Sequence, residues 1–141
     1  MTPEQIPLVQ SSFERVGARL PAVATQFYEE LFRRDPALRQ LFTTDMAEQK
    51  VRFATKLAEI VHTLPRLDEL LVHTRALGAR HAGYGVKVAD YQTVGESLLD
   101  ALAAVLGESM DDQTRQAWAR AYNLVSEIML EGAAAARPIG S

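Results

Sequence analysis

Apolar residues recur every three or four positions along most of this 141-residue chain, and nowhere do they alternate over the length of a strand. Spacings of three and four place side chains on one face of an α-helix, whereas a half-buried strand needs a period of two. The chain is therefore read as all-α, with six to eight helices. Hydrophobic residues make up 48% and charged residues 23%, so each helix has an apolar stripe to bury and a polar face for water. The length suits one ordinary domain with a sizeable core.

Local chemistry sets the helix boundaries. Thr2, Pro3 and Gln5 read as cap, first-turn proline and capping partner of a first helix, with Ile6, Val9, Phe13 and Val16 inward and Gly17 as its stop. Leu20-Pro21 begins a second helix with Val23, Phe27, Leu31 and Phe32 inward; Asp35-Pro36 ends it and caps a short helix from Ala37 to Phe42. Thr43-Thr44-Asp45 is a polar break. Asp45 and Glu48 then read as a cap pair for a long helix through Leu64, stopped by Pro65. Leu67 to His81 reads as one or two helical segments, interrupted or ended near Gly78, before a Gly83-Tyr84-Gly85 loop. Asp90 reads as the cap of a helix ending at Gly107, and Asp111 or Asp112 as the cap of the last one. The domain is expected to span 1–132, with 133–141 as a frayed tail.

Several functions are disfavoured at once. A net charge of −3 argues against a nucleic-acid partner held by bulk charge. There is no apolar run long enough for a membrane span and no basic leader followed by an apolar stretch, so a cytoplasmic protein is expected. The absence of cysteine removes disulfides, thiolate metal sites and thioether-linked cofactors. His62, His73 and His81 are the only histidines. His73 and His81 stand about 80° apart around a helix and so do not converge on one metal. Zinc and carboxylate-bridged di-iron readings are weak, and no phosphate loop or nucleophile elbow is present.

The informative stretch is Leu77-Gly78-Ala79-Arg80-His81-Ala82-Gly83-Tyr84-Gly85-Val86. On a helix, His81 Nδ1–H can reach the carbonyl of Leu77, leaving the other ring nitrogen for a metal. On the long helix, Gln49, Phe53 and Leu57 recur every four residues and share one face.

Five segments in order, Phe27-Tyr28-Glu29-Glu30-Leu31-Phe32, Asp35 to Phe42, His81, Tyr91 to Leu99, and Ala117-Trp118 with Ala121-Tyr122, resemble bacterial single-domain haemoglobins and the globin domain of flavohaemoglobins. The resemblance runs from about Ile6 to Met129. It implies a globin fold around haem b, with His81 as the proximal iron ligand. It also implies Phe42 packed on the haem, Tyr28 and Gln49 as the distal tyrosine and glutamine, and Tyr91 beneath the proximal histidine. Phe53 falls where an aliphatic residue usually lines the distal pocket. Phe27, Leu57, Leu77, Arg80, Val86, Val94 and Leu98 complete the expected cofactor-binding set. Tyr28 and Gln49 would be hydrogen-bond donors to a bound diatomic ligand, each contributing roughly 1–2 kcal/mol.

What the resemblance implies about function is a haem protein that reversibly binds dioxygen, nitric oxide or carbon monoxide. The first alternative is a nitric oxide dioxygenase served by an external reductase, since flavin and nicotinamide domains would begin where this chain stops. The second is a haem-less interaction module. A sensor is disfavoured because no transmitter segment follows, and a bilin carrier because there is no cysteine. One departure concerns the proximal side. The family's late-helix glutamate near the proximal histidine falls on Ala133, with Glu131 two residues earlier on another face.

Overall fold

The computed structural model describes residues 1–43 and 45–136. Six α-helices follow one another: α1 (Gln5–Val16), α2 (Leu20–Arg34), α3 (Met46–Thr63), α4 (Leu67–Gly83), α5 (Val88–Leu106) and α6 (Asp112–Ala136). Short 3-10 turns cover Gly17–Arg19, Pro36–Leu41 and Gly107–Ser109. No strand occurs among the described residues, and no helix among them is long and apolar enough to cross a membrane.

Carboxylates hold several of the helix starts. Asp35 Oδ1 accepts from Ala37 N–H at 3.2 Å and Asp45 Oδ1 from Ala47 N–H at 3.3 Å. Asp111 Oδ1 accepts from Thr114 N–H at 2.8 Å, so it is Asp111 that caps α6. Each satisfies a backbone donor that the first helical turn leaves without a partner. Three sequence expectations change. Asp90 stands inside the first turn of α5 and reaches back to accept from Lys87 N–H at 2.8 Å. At the chain start, Gln5 accepts from Thr2 N–H at 2.9 Å, while the cap position is Glu4, which makes no side-chain cap bond. The expected short helix from Ala37 to Phe42 is the 3-10 turn Pro36–Leu41.

The core draws on all six helices. Val9, Val16, Val23, Leu31, Leu70 and Leu102 are fully or almost fully buried. Trp118 Nε1 donates to Ser12 Oγ at 2.8 Å, and the Ser12 hydroxyl in turn donates to the Leu8 and Val9 carbonyls of α1. An indole N–H buried this deeply needs an acceptor, and Ser12 supplies it from another helix.

Gly78 does not interrupt α4, as the sequence suggested it could. It lies in mid-helix against α6, where a Cβ would fall 1.9 Å from the Met129 carbonyl oxygen. Three residues earlier the relation is reversed, and a Cβ on Gly132 would fall 2.0 Å from the Arg75 carbonyl oxygen. Reciprocal glycines thus let two backbones touch, which offsets the helix-propensity cost of each. The last helix continues through 133, where Ala133 is buried, to Ala136. Thr44 of the expected polar break and residues 137–141 of the expected tail lie outside the described residues.

Gly78→Ala should lower stability by about 1–3 kcal/mol through overpacking, seen in urea unfolding. Gly83→Ala, whose Cβ would meet nothing within 4 Å, should leave stability unchanged or slightly raised. Equal unfolding curves for the two variants would remove the backbone-contact explanation.

Candidate functional site

One cavity of about 770 Å³ opens between α2 and α3 on one side and α4, α5 and α6 on the other. All thirteen residues singled out from the sequence line it: Phe27, Tyr28, Phe42, Gln49, Phe53, Leu57, Leu77, Arg80, His81, Val86, Tyr91, Val94 and Leu98. His62 and His73 are exposed and do not. The walls are mainly apolar carbon, and polar groups are few.

The wall from α2 and α3 is a cluster of rings. Phe27 and Phe53 stack with centroids 4.3 Å apart and planes 11° from parallel. Tyr28 meets Phe42 edge-on at 5.4 Å and Phe53 at 5.7 Å. These contacts hold the Tyr28 ring, which is 4% exposed. Gln49 Nε2 donates to Tyr28 Oη at 3.1 Å. Because the hydroxyl oxygen accepts that bond, its own proton is left for another acceptor. Burial raises the Tyr28 pKa; the bond from Gln49 and the charge of Arg52 only partly oppose it. Tyr28 is therefore a neutral donor at ordinary pH.

The wall from α4 is built on His81. Its Nδ1 lies 2.9 Å from the Leu77 carbonyl, one turn back on the helix. A carbonyl can only accept, so Nδ1 carries the proton and Nε2 keeps its lone pair. Burial lowers the imidazole pKa; the Leu77 bond opposes this and Arg80 adds to it. The ring is thus a neutral nitrogen donor, the form that binds metals. The exposed Tyr84 ring stands 6.2 Å from it.

Behind this wall, Tyr122 Oη of α6 donates to the Tyr91 carbonyl of α5 at 2.5 Å. Gly95 makes room for the Tyr122 ring, since a Cβ there would fall 2.6 Å from a ring carbon. Burial, with Tyr91 nearby, pushes the Tyr122 pKa strongly up. Glu131 is exposed and paired with Arg75 at 3.4 Å, and Ala133 is buried. Among the described residues, Asp90 is the one carboxylate lining the cavity, and it is bonded to the Lys87 N–H.

Sequence reasoning missed several lining residues. Arg52 and Lys56 lie on the same α3 stripe as Gln49 and Phe53, and their three- and four-residue spacing could have placed them there. Ile60, Trp118, Val125 and Met129 also line the cavity. Apolar periodicity does not separate a core wall from a cavity wall.

Comparison with known proteins agrees with this arrangement. The globin family pattern matches residues 25–129. The chain is 28% identical to a flavohemoprotein of Bordetella pertussis over 133 residues, covering 92% of this chain and 33% of that protein. It is 32% identical to a leghemoglobin of Psophocarpus tetragonolobus over 131 residues, covering 86% and 90%. Among solved structures it resembles an engineered carbene transferase made from a Rhodothermus marinus protein described as a putative nitric oxide dioxygenase. The TM-score is 0.87 at 26% identity, covering 96% of this chain and 94% of that one. The chain spans about a third of the length of the flavohemoproteins it matches.

The buried tyrosines set an alkaline limit. Their folded pKa values lie above the ordinary value of about 10. Their contribution to stability is then fully present below pH ~10 and is lost as pH rises toward the folded values. Urea unfolding between pH 8 and 11, as order-of-magnitude bounds on that window, should show stability falling at the alkaline end. Tyr122→Phe should make that fall shallower, while costing about 0.5–1.5 kcal/mol near neutrality for the lost hydrogen bond. Parallel pH profiles for parent and variant would count against the assignment.

Proposed function

Because the chain belongs to the globin family, we propose that it is a haem b protein whose work is reversible binding of a diatomic gas, with dioxygen as the first candidate. One observation carries the reading: a neutral imidazole with its Nδ1 proton held by Leu77, on the same apolar cavity as a tyrosine–glutamine donor pair. The residues present fit the group. The cavity falls within the volumes typical of cofactor sites, roughly 300–1,000 Å³, its walls are apolar rings and aliphatic chains, and one nitrogen lone pair is available.

Haem, when bound, supplies an iron that takes up diatomic gases. His81 would hold that iron through Nε2, while the Leu77 carbonyl fixes the ring's tautomer and orientation. Phe42, Val86, Val94 and Leu98 would pack against the macrocycle and exclude water, and Arg80 offers a cation for its carboxylates. Tyr28 would present its O–H to the ligand. Gln49 acts through Tyr28: its N–H occupies the hydroxyl oxygen and so turns the phenol proton elsewhere. In an apolar pocket such a donor favours the ligand that gains most negative charge.

A second reading has its own support in the likeness to the Rhodothermus marinus protein described as a putative nitric oxide dioxygenase. In that reading the chain would convert nitric oxide in the presence of oxygen and would need a separate reductase as partner. Stopped-flow mixing of the oxygen-loaded protein with nitric oxide, with nitrate as product, separates it from simple storage. The test common to both is the visible spectrum of ferric, ferrous and carbonyl forms after haem reconstitution. A protein that stays colourless sinks both and leaves a globin-fold interaction module.

His81→Ala should abolish or greatly weaken haem binding, and normal ferrous and carbonyl spectra without added imidazole would overturn the ligand assignment. Tyr28→Phe should speed oxygen release by roughly tenfold or more, since one hydrogen bond of about 1.4 kcal/mol is a factor of ten. Carbon monoxide release should change less. Gln49→Leu should have the smaller effect on oxygen; a larger effect than that of Tyr28→Phe would reverse the ranking.

A further inference from the structure

The helix that carries His81 touches its neighbour backbone to backbone one turn before the histidine. At Gly78, a Cβ would lie 1.9 Å from the Met129 carbonyl oxygen, 2.5 Å from its carbonyl carbon and 2.5 Å from its Cα. None of these is a flexible side-chain end that could swing away. Met129 also lines the cavity, so the residue that stops α4 from behind belongs to the same wall as His81. The crossing is doubled by Gly132 against the Arg75 carbonyl and closed at its rim by the ion pair of Arg75 with Glu131.

From this geometry we infer that Gly78 is a positioning residue: its bare backbone lets α4 seat on α6 and so sets how far the His81 imidazole stands in the cavity. The inference rests on the haem reading above and deepens it. Its physical content is a length. Ordinary contact begins near 3.4 Å, so a methyl group at Gly78 forces the two backbones apart by about 1.5 Å, the shortfall between 3.4 and 1.9 Å. A packed helix pair cannot absorb that by side-chain adjustment, because both partners are main chain. The displacement passes along α4 to His81, three residues on and about 4.5 Å away along the axis. The Leu77 carbonyl moves with it, since it lies in the same turn. The imidazole therefore keeps its Nδ1 bond and its tautomer while its Nε2 changes place against the rest of the cavity.

This separates a positioning role from a purely structural one. A structural role predicts only a loss of stability. A positioning role also predicts a change in the bond between His81 and iron. The experiment compares four holo-proteins: parent, Gly78→Ala, Gly83→Ala as the open-space control, and Val23→Ala. Val23 is fully buried on α2 and does not line the cavity, so its variant is unstable for a reason remote from α4. The readouts are the iron–histidine stretching band in resonance Raman of the ferrous form and the rate of haem loss to excess apomyoglobin.

The expected result is a shifted stretching band and about tenfold faster haem loss in Gly78→Ala, with the band unmoved in Val23→Ala and Gly83→Ala. A band at the parent position in Gly78→Ala, with its Tm lowered, overturns the inference and leaves Gly78 as packing alone. If Gly78→Ala cannot be folded, Gly132→Ala, which adds its methyl to the Arg75 carbonyl at the same crossing, replaces it with the same expectations. If the parent takes up no haem, the functional reading fails, and crystal structures of parent and variant decide the inference. A His81 ring displaced relative to Val125 and Tyr91 then supports it, and an unmoved ring overturns it.

Discussion

The hydrogen bond between His81 Nδ1 and the Leu77 carbonyl is the interaction on which the site depends. A buried imidazole has two nitrogens and can be a ligand with only one of them. The other must be satisfied by something that does not compete for the lone pair. A backbone carbonyl four residues back meets that need without a charge. The bond is local to one helical turn, so it survives any rigid movement of α4. What it cannot fix is where α4 stands, and that is left to the packing of α4 on α6.

α6 is in this sense the frame of the α4–α5 side of the cavity. It meets α4 through the Gly78 and Gly132 backbone contacts. It meets α5 through the Tyr122 ring over Gly95 and the bond to the Tyr91 carbonyl. It is tied to α1 by Trp118 and Ser12. The opposite side is held differently. There Phe27, Tyr28, Phe32, Phe42 and Phe53 pack ring against ring, from α2 through the 3-10 turn to α3. Backbone contact gives a wall that cannot yield at one point, whereas an aromatic cluster can readjust by ring rotation. The His81 imidazole stands on the first kind of wall and the Tyr28 hydroxyl on the second.

Much of this was legible in the sequence. The period of three and four residues marked the helices, and the carboxylates Asp35, Asp45 and one of Asp111 and Asp112 marked starts, because a cap is a local event between near neighbours. The thirteen cavity residues were placed through a family resemblance joined to helical spacing, and they do line one cavity. Gly78 was not legible. A glycine in a helical pattern reads as a stop, and only its approach to Met129, about fifty residues distant in sequence, reveals it as a contact. Asp90 and Asp45 look alike in the sequence, yet one bonds back to Lys87 and the other forward to Ala47. That difference is one of register along the turn, set by where the preceding loop enters.

The groups acting on the imidazole are a neutral acceptor and a cation. An anionic acceptor on Nδ1 would make the ring a stronger electron donor than a neutral carbonyl does. Here the acceptor is neutral, the charged group acting on His81 is the cation Arg80, and the α6 carboxylate Glu131 is turned outward to Arg75. Across the cavity the donor is equally neutral, a phenol kept protonated by burial and oriented by an amide. Phe53 stacks on Phe27 and meets Tyr28 edge-on beside that phenol. The cavity thus carries a neutral imidazole nitrogen on one wall and a neutral hydroxyl on the other.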